Sequence, residues 1–272
     1  MLTDFKEEIN IVVEKISNWF QNNLLILNFN KTYYIHFTTK SKLAVAIHIS
    51  HKINPIINTY STNFLGLTLD SILSWKTHTD QLGSKINSAC YVITSLKSVI
   101  STMNLRTIYF SYVHSIMTYS IIFWGNSSGG YNIFRLQKRA IRIIMNAGNR
   151  FSCRELFKKL NILPLYSQYI LSLLLFIVKN IDEFTINSEV HTINTQHRSD
   201  LHPPSMNMTK YQKAVYYSGI KIFSHLPQNI RNLSWTVKKF KLALKRFLLM
   251  GSFYSLDEYS DWNSSSNLST FT

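Results

Sequence analysis

The chain has 272 residues, with 29 Lys and Arg against 14 Asp and Glu, a formal net charge of +15. Apolar residues make up 46%, which excludes global disorder and allows one or two domains with a real core. Two cysteines, Cys90 and Cys153, exclude a disulfide scaffold and fit a reducing compartment, while so basic a balance points to a polyanion, nucleic acid ahead of a membrane surface.

Residues 4–20 predict an amphipathic helix, because Phe5, Ile9, Val12, Val13, Ile16, Trp19 and Phe20 recur at spacings of three and four. The character changes over 24–73. Leu24–Leu27, Tyr33–Phe37, Leu43–Ile49 and Phe64–Leu69 are short apolar or alternating runs punctuated by Asn and Gly, which predict a small antiparallel sheet. From Trp75 onward the period is helical. Leu82, Ile86, Cys90, Ile93 and Leu96 make one stripe, and 104–124 is apolar on nearly every face, the pattern of a buried helix. Further helices are predicted at about 131–146, 152–160, 166–180, 209–224 and 236–249, with a polar tail from 260. The polar stretch 181–208 predicts a linker. The expected class is α+β, predominantly α. Its regions are 1–74 with the sheet, 75–180 helical, the linker 181–208, and 209–272 helical with a polar tail.

The first ten residues hold Asp4, Lys6, Glu7 and Glu8, so they lack an apolar signal core. The longest apolar stretch, Tyr169–Val178, is half of the about 20 residues that a membrane-spanning helix needs. An intracellular protein, cytoplasmic or nuclear and off the membrane, is expected.

The basic surplus is concentrated. Twelve basic residues face one acid, Glu155, between Gln81 and Ile181. Nine basic residues and no acid lie between Leu201 and Leu256. Arg135, Lys138, Arg139 and Arg142 fall at i, i+3, i+4 and i+7, one helical face, with Ile133, Leu136, Ala140, Ile141 and Ile144 on the core side. Four cations on one face repel each other unless an anion neutralises them, and a phosphate backbone does so with release of counterions. Lys238, Lys239, Lys241, Lys245 and Arg246 make a second basic helix, which fits equally well with lysine stems shielding an apolar helix.

Signatures of other chemistry are missing. His191, His197 and His202 have no cysteine near them to complete a zinc site. Gly129-Gly130 stands alone, outside any phosphate-loop pattern. Two-metal nucleotidyl transfer needs clustered carboxylates. The chain has no Asp-Asp pair, and Asp70, Asp182-Glu183 and Asp257-Glu258 read as caps and turns.

The segment LLILNFNKT (Leu24–Thr32), then YYIHF, then NFLGLTLDSILSW (Asn63–Trp75) resembles the later palm motifs of reverse transcriptases from non-LTR (LINE-type, jockey-like) retrotransposons. His78–Lys97 resembles the first thumb helix of that family, and LQKRAIRIIM (Leu136–Met145) its recurring basic helix. GIKIFSHLPQNIR, FKLALKRFLL and FYSLDEY resemble the C-terminal part of the same reading frames. The resemblance implies a palm remnant, a helical thumb and a C-terminal helical region. Lys31 matches the motif D lysine, the family's proposed general acid, while Phe64, Leu65 and Gly66 match the primer grip. By the same resemblance the catalytic aspartates of the family, and the Mg²⁺ they hold, have no counterpart in this chain. The expectation is therefore a catalytically incomplete fragment of an RNA-directed DNA polymerase, without cofactor or small-molecule substrate. Its partners would be an RNA/DNA duplex and a primer end, met through Phe64, Leu65, Gly66, Arg135, Lys138, Arg139 and Arg142. Two other readings stay open: a non-enzymatic helical RNA- or DNA-binding protein, and a non-functional retrotransposon relic.

Overall fold

The computed structural model describes residues 2–38, 47–51, 54–190, 200–205 and 213–264. The class is α+β and predominantly α. The chain forms two compact units, Met1–His78 and Thr79–Thr272.

In the first unit, helix α1 (Leu2–Asn22) sets Ile9 and Val13 against a small cluster of Ile47, Ile49 and Ile56. The predicted stripe is only half used. Val12, Ile16 and Trp19 face solvent, because one short sheet covers a narrow arc of a helix this long. That sheet has the order β1-β3-β2, from β1 (Tyr33–Tyr34), β2 (Ile49–His51) and β3 (Asn54–Asn58). It is mixed where an antiparallel sheet was expected, since β1 pairs parallel with β3 while β2 pairs antiparallel. Strands β4 (Ser61–Phe64) and β5 (Leu67–Asp70) form a separate antiparallel hairpin. Of the expected run Leu43–Ile49, residues 43–46 lie outside the described residues.

Leu24–Leu27 is not a strand. Leu24 takes φ 57°, its N–H donates to the Gln21 carbonyl, and the Leu25 N–H donates to the Phe20 carbonyl. Those two bonds are a Schellman close of α1, which turns the chain away from the sheet.

The second unit is helical: α2 (Lys76–Leu96, whose start lies in the first unit), α3 (Thr102–Ile108), α4 (Ser115–Thr118), α5 (Ile121–Trp124), α6 (Gly130–Ile144), α7 (Arg154–Leu160), α8 (Leu165–Lys179), α9 (Asn187–Val190), α10 (Val215–Ser224), α11 (Gln228–Arg231), α12 (Val237–Gly251) and α13 (Leu256–Ser264). Helix α8 is its axis and touches α5, α6, α10 and α12. That placement explains its apolar sequence: Leu165, Tyr169, Ile170, Leu173, Leu174 and Ile177 are all fully buried. No single helix among the described residues is long and apolar enough to cross a membrane.

The single helix expected over 104–124 is broken. A π-helical stretch, Tyr109–His114, separates α3 from α4, and Ser120 at φ 49° separates α4 from α5. Tyr109, Val113, Met117 and Ile121 are buried at strict four-residue steps. Each such step drifts about 40° round an α-helix, and a looser turn takes up part of that drift. Tyr112, Tyr119 and Phe123 are exposed, so this segment is not buried all round.

The described parts of 181–208, residues 181–190 and 200–205, are seated rather than free. Phe184 is buried and stacks on Tyr216 at 4.6 Å, and a bridge joins Ile186 to Leu201. His191 and His197 lie outside the described residues, and His202 Nδ1 is 3.0 Å from Asn187 Oδ1. The predicted helix at 209–224 is described from Val215, and the tail expected from 260 is helical to Ser264. Tyr259 is buried there, and its hydroxyl donates to the Ile222 carbonyl at 3.0 Å.

Candidate nucleic-acid interface

Helix α6 starts where two glycines let the chain approach its neighbours closely. A Cβ on Gly129 would lie 2.1 Å from Thr79 Oγ1, and one on Gly130 would lie 2.9 Å from the Gly125 carbonyl oxygen. Close packing, not phosphate, accounts for that pair.

The buried face of α6 carries Ile133, Phe134, Gln137, Ala140, Ile141 and Ile144. Gln137 is fully buried and fully bonded. Its Nε2 donates to Tyr109 Oη and to the Leu163 carbonyl, both at 2.9 Å, and its Oε1 accepts from the Leu165 N–H at 2.9 Å. An amide with all its partners fixes one register of α6 against its neighbours. Burial pushes the Tyr109 phenol up, partly offset by its bond to Gln137, so it stays neutral.

With that face committed, Arg135, Arg139 and Arg142 are held on the other side. They line an open hollow of ≈ 440 Å³ with Asn87, Leu136 and Asn149. Arg139 Nη1 donates to Asn87 Oδ1 at 3.3 Å and Arg142 Nε to the Phe151 carbonyl at 3.1 Å. Both partners are neutral. Among the described residues no carboxylate pairs with these three guanidiniums. Three acids of the helical unit are engaged elsewhere: Glu258 holds Arg154, Glu155 meets Lys158 at 3.1 Å, and Asp200 meets Arg231 at 3.2 Å.

Lys138 leaves the stripe. Its Nζ sits 4.5 Å from the Phe134 ring centroid and 5.4 Å from that of Tyr254. Burial lowers its pKa, with Arg142 adding to the effect and Cys153 opposing it. At the edge of the cationic arc, about 60° from Arg135, it is the residue nearest the aromatic face. Leu136, expected in the core, is only partly buried and lines the hollow instead.

The remaining predicted residues lie in the first unit. Lys31 ends a 3-10 turn, Phe29–Lys31, and is exposed; its N–H donates to the Asn28 carbonyl at 3.0 Å. Phe64, Leu65 and Gly66 form the exposed tip of the β4–β5 hairpin. Leu65 at φ 46° and Gly66 at φ 80° make a two-residue turn of the kind that matches the twist of paired strands. That turn requires the glycine, whatever the tip contacts.

Asp70 is engaged within its own turn. Asp70 accepts from the N–H groups of Ile72, Ser74 and Trp75 and from the Ser74 hydroxyl, at 2.9–3.2 Å. It caps the turn into α2. Among the described residues, no three His, Cys, Asp or Glu side chains are grouped to hold a metal ion.

Gln137 was within reach of the sequence, at i+4 from Ile133 and i−4 from Ile141. The roles of Asn87 and Asn149 were not, since neither belongs to α6.

No protein-family model, curated protein or solved structure matches the chain.

Proposed function

We propose that this chain binds nucleic acid through the phosphate backbone, and that it derives from the palm-to-thumb part of a non-LTR retrotransposon reverse transcriptase. The carrying observation is the hollow on α6, where three guanidiniums meet with two asparagine amides and no acid. Guanidinium forks match phosphate oxygens in shape and charge, and a concave surface without aromatic rings suits a backbone better than a base. The order of elements supports the ancestry: a helix, the turn at Lys31, short strands, a Leu-Gly hairpin, then helices. On this reading nucleotidyl transfer belongs to the family's intact enzyme and not to this chain, whose Asp70 caps a turn and whose Glu258 and Asp200 pair with arginines. The hollow would take a duplex, an RNA/DNA hybrid included.

The test is duplex binding measured over a range of salt. Changing Arg135, Arg139 and Arg142 together to Gln preserves helix propensity and removes up to three phosphate contacts. Binding should weaken for all sequences alike, with a salt slope shallower by about two to three units. Lys138→Gln alone should leave the slope nearly unchanged, because that ammonium is held over rings. A triple variant with the parent's affinity and slope would remove the reading.

A further inference from the structure

The indole of Trp235 is 90% exposed, more than any other aromatic side chain among the described residues. It is not on a loose segment. The turn that carries it is closed by successive bonds, Leu233 N–H to the Ile230 carbonyl, Ser234 N–H to Arg231 and Thr236 N–H to Leu233, at 2.9–3.0 Å. Below it, Ile230 is buried, and Arg231 is fixed by Asp200 and by the carbonyls of Ser224 and Leu226. The chain thus holds an apolar plate outward on a preformed support. Lys238 and Lys239 follow in the first turn of α12, both exposed, and Arg246 stands exposed about 12 Å from Lys238 along the helix axis. None of these cations has a carboxylate partner among the described residues, and the sequence from Leu201 to Leu256 contains no acid.

We propose that Trp235, with Lys238, Lys239 and Arg246, is a stacking platform for single-stranded nucleic acid, distinct from the α6 hollow. It shares with the function proposed above only the class of ligand. A free indole face takes any unpaired base, and flanking cations take the adjoining phosphates, which gives binding without sequence preference. A duplex offers its backbone but no free base face along its length, so the two surfaces divide the ligands: backbone at α6, unpaired bases at Trp235. A lipid surface fits less well. The apolar face of α12, with Phe240, Leu244, Phe247 and Leu248, is buried in the helical unit, so only Trp235, Leu242 and Met250 remain to enter a bilayer.

The experiment uses the full chain and a fluorescein-labelled mixed-sequence oligonucleotide, single-stranded or annealed, read by anisotropy. Trp235→Ala should weaken single-strand binding by about tenfold and leave the duplex unchanged. Trp235→Phe, which keeps a ring, should recover most of the loss. Lys238→Gln with Lys239→Gln should make the single-strand salt slope shallower by about 1.4 units. Single-strand binding by Trp235→Ala equal to the parent's would overturn the platform. So would equal weakening of single strand and duplex together with a lowered melting temperature, the mark of a structural role. Loss of binding to phosphatidylserine vesicles with oligonucleotide binding intact would overturn it in favour of a membrane contact. The triple arginine variant, measured alongside, fails or succeeds on the duplex independently, so the two proposals fall separately.

Discussion

Helices α1, α6 and α7 end with the same two backbone bonds, yet they fill the left-handed position differently. In the second unit the residue is asparagine: Asn146 after α6, at φ 49°, and Asn161 after α7, at φ 52°. In the first unit it is Leu24, at φ 57° and 94% exposed. Asparagine tolerates that conformation, while an ordinary side chain costs about 1–2 kcal/mol there. Leu65, Leu73 and Trp75 repeat the mismatch in the first unit, whereas Ser120 and Ser252 are the second unit's other cases. Burial runs the same way. The first unit buries Ile47, Ile49, Ile56 and Leu67, and the second encloses Trp124, Tyr109, Phe134, Phe157, Phe240 and Phe253. Local preference and tertiary packing agree in the helical unit and conflict in the first, and agreement between levels is what makes a fold cooperative.

Hydrogen exchange on the intact chain tests this contrast where its effect is largest. Amides of α8 should exchange only through opening of their whole unit. Those of α1, β2 and β3 should exchange through openings at least about 3 kcal/mol smaller. Equal protection in both units would erase the comparison.

A second test looks for a flaw inside the better unit. His114, in the π-helical stretch, is packed by the rings of Tyr109 and Phe110, and its Nδ1 is buried without a hydrogen-bond partner. Burial, reinforced by Lys245, brings its pKa down to about 4. The folded state therefore holds the neutral ring, while the unfolded chain titrates near the ordinary 6.5. Well above pH 6.5 the two states bind protons equally at this site. As the pH falls from 6.5 towards 4, only the unfolded chain gains a proton and stability declines. Denaturant titrations at pH 7 and pH 4.5 should show a loss about 2 kcal/mol smaller in His114→Phe than in the parent. An identical loss in both would mean that the ring reaches water.

The smallest effect comes from exchanging the helix ends. Leu24→Asn should stabilise the first unit by about 1 kcal/mol, and Asn161→Leu should destabilise the second by about the same amount. Both positions are exposed, so no burial changes hands. Protection factors in each unit read the result, and a change of the same sign in both would break the argument.

What the sequence made legible follows from how local each feature is. Helices α6, α8 and α12 were readable because their apolar periods run uninterrupted for 15 residues each. The arginines of the hollow were readable from their spacing alone. Leu24–Leu27 read as a strand because four apolar residues fit a strand or a helix end equally, and the left-handed position just past Asn22-Asn23 is filled by Leu24 rather than by Gly or Asn. The departure of Lys138 from its stripe depends on Tyr254, more than a hundred residues away. The parallel pairing of β1 depends on which strand lies beside it, which no alternation of side chains encodes.

The two thiols lie against a single helix. Cys90 Sγ is 4.0 Å from the Leu136 carbonyl oxygen and Cys153 Sγ is 3.8 Å from that of Lys138, with both cysteines almost wholly buried. Burial also pushes both thiols up in pKa, which keeps them protonated and unreactive. A thiol reagent therefore reaches either sulfur only when the packing around it, α6 included, opens. The rate of cysteine labelling becomes a clock for the attachment of the arginine-bearing helix, running in the native chain without any inserted probe. A ligand seated in the hollow would slow that clock at both cysteines together.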